Sequence, residues 1–224
     1  PIDQNIGVLW TPRTPAVAND WGSVCWSPAL GIFVAVANAG VADQVMTSTD
    51  GISWVSRVTP GERYWGSVCW SPELGMFVAC ALSGMLSDNI MTSNNGIDWV
   101  LRTTPIGVEL LNICWSPLRG RFVAIGRTET EAVVLTSSNG IDWASSVSPL
   151  LWVSGICWSP DLGIFVAVAG SEAGNQLITS ADGLSWTVRT IPAANGWASV
   201  VWSPEIGIFV AVAYSPTSAQ VMTS

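Results

Sequence analysis

The residues able to do chemistry are few, and their types narrow the options sharply. His and Lys are absent, and all eight basic residues are Arg, at positions 13, 57, 63, 102, 119, 121, 127 and 189. A His general base, a Ser-His-Asp triad, a His metal ligand and a Schiff-base Lys are therefore unavailable. The dense polar groups are Glu62-Arg63-Tyr64 and Arg127 with Glu129 and Glu131. Neither recurs along the chain, and no inner-strand carboxylate pair suited to glycoside hydrolysis accompanies them. No catalytic residue, metal or cofactor is expected. Cys25, Cys69, Cys114 and Cys157 occupy one place in a repeated pattern that Val201 takes in its fifth copy, which marks a small buried apolar site. Cys80 reads the same way. Loop acids such as Asp43 and Asp88 lack the ligand spacing of a calcium loop.

Binding chemistry is better represented than catalysis. Four Trp stand where a variable loop meets a strand: Trp21, Trp65, Trp152 and Trp197. An indole there can stack on a sugar ring while polar neighbours hold its hydroxyls. Those neighbours are Asp20, Arg63, Tyr64, Asn112 and Asn195, with strand Ser residues behind them. The competing reading makes each Trp a cap on the seam between structural units, and Leu110 at the equivalent place in the third copy favours it.

The elements that must position these side chains come from internal repetition. Trp-Ser-Pro recurs with its Trp at 26, 70, 115, 158 and 202, spaced by 44, 45, 43 and 44 residues. A second Trp series stands at 10, 54, 99, 143 and 186. In the first complete copy, four short strands are predicted over residues 21–27, 32–37, 44–48 and 53–58. A Pro-to-Gly turn at 28–31 and an Asp50-Gly51 turn join the hairpins. Four-stranded antiparallel units of this length in tandem predict an all-β fold, a five-bladed β-propeller with four strands per blade. The blades run over 16–60, 61–105, 106–149, 150–192 and 193–224, the last completed by residues 1–15. Residues 7–15 read as the fourth strand of that last blade, so that the N-terminal strand closes the ring and removes an open edge.

The turn Ser48-Thr49-Asp50-Gly51-Ile52-Ser53-Trp54 resembles the Asp-box of sialidase-like propellers, one residue shorter, with copies starting at Ser93, Ser137 and Ser180. In that family the Asp-box is a folding device remote from the active centre, so the resemblance implies a fold and no activity. A sialidase-like site needs an Arg cluster, a Tyr nucleophile and mouth carboxylates, and no strand one here carries an Arg or a carboxylate. The Arg of Trp-x-x-Arg, at 13, 57, 102 and 189, reads as stacking on an aromatic or pairing with a carboxylate, since Ser146 replaces it in the third blade.

Composition bounds the rest. Of 224 residues, 49% are apolar and 11% charged, which excludes a disordered chain. Apolar runs such as residues 32–37 fall far short of the roughly 18–20 residues of a membrane helix. The net charge of −8 repels phosphate backbones, so nucleic acid is not an expected partner. The leading expectation is a non-enzymatic recognition module, glycan-binding and lectin-like, with quasi-equivalent sites on the loops at one mouth of the ring. The alternative is a structural or assembly module, a virion appendage, decoration or cell-surface docking domain, that meets a protein surface within a larger chain or assembly. Either sits best in an extracellular or particle-surface setting.

Overall fold

The computed structural model describes residues 9–39, 43–170, 177–191, 195–214 and 220–224. Among these there is no helix, and the strands form five antiparallel sheets. The first sheet holds β1 (Asp20–Ser27), β2 (Ile32–Ala39), β3 (Val45–Ser48) and β4 (Val55–Arg57). The second holds β5 (Trp65–Ser71), β6 (Met76–Ala81), β7 (Ile90–Ser93) and β8 (Val100–Arg102). The third comprises β9 (Glu109–Ser116), β10 (Arg121–Arg127), β11 (Ala132–Ser137) and β12 (Ala144–Val147). The fourth comprises β13 (Val153–Ser159), β14 (Ile164–Ala169), β15 (Leu177–Ser180) and β16 (Thr187–Arg189). The fifth has three strands, β17 (Trp197–Ser203), β18 (Ile208–Ala213) and β19 (Val221–Thr223).

Each repeat signature has a local physical cause. In Trp-Ser-Pro the Trp ring lies 4.5–4.7 Å from the Phe of the next strand, as Trp26 does on Phe33 and Trp202 on Phe209. The Ser hydroxyl accepts the amide three residues on, Leu30 N to Ser27 Oγ at 3.2 Å, which fixes the turn. In the Asp-box-like turn, Ser48 Oγ accepts from Gly51 N at 2.8 Å, and Asp50 Oδ1 accepts from Ile52 N and Ser53 N at 2.8 and 2.7 Å. Asn95 and Asn139 do the same work with an amide oxygen. Arg57, Arg102 and Arg189 each donate Nε to the Thr of the neighbouring strand at 2.8–2.9 Å. These Arg therefore clamp strand four to strand three through a hydroxyl, where a carboxylate or aromatic partner had been expected.

The charged form of the turn has a pH signature. Backbone amides of Ser53 and Ile52 and the Ser48 hydroxyl hold the Asp50 carboxyl down at about 2, from an ordinary 3.8. A depressed folded-state pKa contributes stability above the unfolded value and loses it as pH falls through the folded one. Acid titration followed by amide chemical shifts is expected to move Ile52 near pH 2 while Ile97 and Ile141, bonded to Asn, stay put. An Asp50 titration at the ordinary carboxylate value would refute this account of the turn.

The sheets pack face to face in chain order. β1 lies on β5, β5 on β9, β9 on β13 and β13 on β17. Each seam is a separate apolar cluster, for example Val34, Val36 and Val45 of the first sheet against Trp65, Phe77 and Trp99 of the second. Among the described residues, the two end sheets are covered on one face only. Val24 is 60% exposed, whereas Val68, Ile113, Ile156 and Val200 at the same place are buried. Val221 is 59% exposed, whereas Val45, Ile90 and Val134 are buried.

The fourth strand expected at residues 7–15 is not on the fifth sheet. Residues 7 and 8 lie outside the described residues, 9–19 carry no strand, and Trp10 is 87% exposed. Among the described residues β1 does not pack on β17 as the other first strands pack on one another, so the segment that leads into β1 is not beside β19.

Candidate functional site

Burial separates the four loop-to-strand Trp. Trp65 and Trp197 are 0% exposed and fill seams against the preceding sheet, so neither offers a ring face to a ligand. Trp21 is half-buried, and its Nε1 donates to the Val17 carbonyl at 3.2 Å. Trp152 is 54% exposed. Spacing explains why. Trp21, Trp65, Leu110 and Trp197 stand five residues before the Trp of Trp-Ser-Pro, but Trp152 stands six before Trp158. Val153, buried and paired with Ala169 as Trp65 pairs with Ala81, takes the seam position and leaves Trp152 outside.

Trp152 is held in an unusual way. Its φ is +60°, a left-handed conformation that is sterically costly for a bulky residue and tends to mark functional loops. Its carbonyl accepts from Gly170 N at 2.8 Å. The Arg127 guanidinium sits 4.3 Å from the ring centroid, a cation–π contact. Arg127 is in turn fixed by Glu109, with Nε and the second terminal nitrogen 2.8 and 2.7 Å from Oε2.

Two clefts meet at this indole. One, about 440 Å³, is lined by Glu109, Arg127, Glu129, Glu131, Leu151 and Trp152 among others. The second, about 250 Å³, is lined by Leu111, Trp152, Ser154, Gly170 and Tyr214. Tyr214 is exposed, and its hydroxyl donates to the Gly170 carbonyl at 2.6 Å, which orients the ring. Three carboxylates around one paired Arg make the first cleft negative, so its chemistry favours neutral or cationic, hydroxyl-rich ligands over acidic ones.

Of the other sequence candidates, Arg63, Asn112 and Asn195 do structural work. Arg63 forms an ion pair with Asp88 at 2.7 Å and donates from its backbone to Gln44 Oε1 at 2.9 Å, tying loops of adjacent sheets. Tyr64 is exposed, and its backbone N–H bonds the Ser83 hydroxyl. Asn112 Oδ1 accepts from Ser67 Oγ and Ile113 N at 3.2 and 2.8 Å, bridging β5 and β9. Asn195 is buried and caps the start of β17 through Gly196 N at 3.0 Å. Asp20 is an exposed residue at the start of β1, and Glu109 opens β9, so two first strands carry a carboxylate where none was expected, because both strands begin earlier than the repeat pattern indicates. Of the expected set, Trp152 lines two clefts beside other aromatic and charged groups. Reading the repeat missed Arg127, Glu109, Ser154 and Tyr214 as its companions. The one-residue offset of Trp152 was the available signal.

The thiols are inert by position. All five Cys are free, and burial pushes Cys25 up to about 11 and Cys69, Cys80, Cys114 and Cys157 also upward. Among the described residues no group of three or more Cys, Asp or Glu could hold a metal ion.

No family model and no curated protein matches the chain. Many solved structures do. The structure of a nidogen/laminin complex aligns over 87% of this chain and 72% of that one, with TM-score 0.68 and 9% identity. YCF48 bound to D1 peptide aligns over 96% and 71%, with TM-score 0.64 and 16% identity. Regucalcin, a calcium-binding protein from Agrobacterium tumefaciens, aligns over 92% and 74%, with TM-score 0.61 and 12% identity. At these identities the likeness concerns the fold, and the chain has the architecture of a β-propeller with repeated blades.

Proposed function

We propose that the chain is a non-enzymatic recognition module, a five-bladed propeller whose N-terminal strand completes the last blade and closes the ring. Its ligand is a glycan, bound at the double cleft around Trp152. The observation that carries this reading is the exposed indole itself. It is strained, braced from one side by Arg127, and placed between an acidic polar cleft and an aromatic one edged by Tyr214 and Ser154. Stacking on Trp152 with hydroxyls held by Glu109, Glu129 or Glu131 suits a neutral or amino sugar, and the carboxylates reject sialic and uronic acids. The absence of His and Lys supports binding without turnover.

The test is a glycan array followed by Trp fluorescence titration of the hits. Neutral or amino sugars are expected to bind, and Trp152→Ala is expected to weaken binding about ten-fold or more. Binding that survives Trp152→Ala unchanged would move the site elsewhere. A preference for acidic glycans would refute the charge argument.

A second reading has its own support: the nidogen structure is a complex with laminin and the YCF48 structure holds a peptide. On that reading this module docks a protein surface as part of an assembly. A blank array together with a captured protein whose binding is lost in Trp152→Ala would favour it.

A further inference from the structure

We infer that the ligand of the Trp152 site is an amino sugar with a free, protonated amine, selected over the hydroxyl and N-acetyl forms of the same sugar by the inner cleft that Ser154 and Tyr214 edge. The inference rests on the glycan reading above and names the functional group that the site recognises.

The inner cleft is built from departures at two places that every repeat shares. In sheets two to five the first and second strands are flanked on the loop side by a facing pair: Tyr64 with Leu82, Glu109 with Arg127, Trp152 with Gly170, and Gly196 with Tyr214. Sheets four and five each join one aromatic to one glycine, in opposite order. The glycines make the room. A Cβ on Gly170 would run into the Tyr214 hydroxyl, and one on Gly196 would stand 3.0 Å from the Tyr214 ring. Trp152 and Tyr214 can therefore reach one cleft from adjacent sheets.

The second shared place is a β-bulge in every first strand. The unpaired residue there is Gly22, Gly66, Leu111, Ser154 or Ala198, since the pairing with strand two steps over each of them. A bulge re-aims its extra side chain. Three of the five have no side chain beyond a methyl group, and the two that do, Leu111 and Ser154, line the same cleft as Trp152 and Tyr214. The bulges thus bring one apolar group and one hydroxyl to the aromatic pair.

Hydrogen-bond chemistry then limits what can enter. A hydroxyl has one hydrogen to give. Tyr214 gives its own to the Gly170 carbonyl at 2.6 Å, and Ser154 has the Val168 and Trp197 carbonyls as acceptors for its own. Both oxygens consequently face the cleft as acceptors, so the ligand must bring the donors. Arg127 covers one face of the indole in the outer cleft and does not line the inner one, which leaves the inner side of Trp152, beside Leu111, to the carbon face of a sugar.

An ammonium group offers three donors and no acceptor. An acetamido group adds a carbonyl for which neither Ser154 nor Tyr214 has a hydrogen left. A plain hydroxyl satisfies the acceptors but carries no charge, and charge is what the adjoining cleft supplies. Arg127 is committed to Glu109 at 2.7 Å, whereas Glu129 and Glu131 are exposed and form no ion pair among the described residues. The two clefts together therefore match a cationic donor on a ring with one apolar face.

Trp fluorescence titration in mildly acidic buffer tests this with one oligosaccharide in three forms, hydroxyl, free amine and N-acetyl, in gluco and galacto configurations. The free-amine form is expected to bind about ten-fold or more tightly than the hydroxyl form and to weaken with added salt, and the N-acetyl form to bind no better than the hydroxyl form. Tyr214→Phe keeps the ring and removes the acceptor. It is expected to weaken the amine form about three-fold or more and the hydroxyl form less. Glu129→Gln with Glu131→Gln is expected to lower the amine preference and flatten its salt dependence. Equal binding of the amine and hydroxyl forms, or tightest binding of the N-acetyl form, with either lost in Trp152→Ala, would overturn the amine selection and keep the glycan reading. An amine preference unchanged by Tyr214→Phe and by the paired Glu substitutions would overturn the role of these clefts. No binding of a sugar in any form would overturn both readings, and oligolysine bound instead, with loss in Trp152→Ala, would assign the ammonium to a protein partner.

Discussion

Trp65→Ala is expected to lower the unfolding free energy by about 3–5 kcal/mol, whereas Trp152→Ala shifts it by no more than about 0.5 kcal/mol. Trp65 is fully enclosed among Val34, Val36 and Val45 of the first sheet and Phe77 and Trp99 of its own, so truncation leaves a cavity at a seam that tandem sheets cannot easily collapse. For a chain of this length the change corresponds to a fall in melting temperature of roughly 10 °C. Trp65→Phe separates packing from hydrogen bonding. The buried Trp65 Nε1 has no acceptor, so losing that donor offsets part of the lost volume, and the Phe variant is expected to cost well under half as much as the Ala variant. Urea unfolding of the three variants reads all of this. A Trp65→Ala midpoint equal to that of the parent would return Trp65 to the list of surface residues, and with it the idea of equivalent sugar platforms in every repeat.

That comparison also shows where the sequence was legible. Period and turn chemistry placed the strands closely: residues 21–27 and 32–37 became Asp20–Ser27 and Ile32–Ala39. The fourth strand was overestimated, since Ser53 and Trp54 belong to the turn that Asp50 organises and β4 starts only at Val55. Site residues were harder to read, because a Trp at the start of a strand carries the same letter whether it faces a seam or solvent. What decides is its phase relative to the buried positions, and a single inserted residue moves Trp152 out while Val153 moves in. Its companions were illegible for another reason. Arg127, Glu109 and Tyr214 come from two different repeats and meet Trp152 of a third through loop geometry that no periodicity encodes.

Gly96→Ala is expected to destabilise the protein by about 2–5 kcal/mol and Gly51→Ala by about 1–2 kcal/mol, although the two glycines hold the same turn position with φ of +71° and +69°. The shared part is the strain of placing an L side chain in the left-handed region. The difference is the neighbouring sheet. A Cβ on Gly96 would stand 2.8 Å from Ile32 Cδ1 and 2.9 Å from Val34 Cγ2 of the preceding sheet, while one on Gly51 would meet only Phe33 of its own at 3.6 Å. Among the described residues no preceding sheet stands against Gly51, so its cost reads the strain of the left-handed turn alone, and the excess at Gly96 reads the seam. Gly31→Ala, with φ of +65° and open space around it, is expected to cost about as much as Gly51→Ala. Urea unfolding of the three variants checks this, and equal costs for Gly51→Ala and Gly96→Ala would show that contact across the seam contributes nothing at this turn.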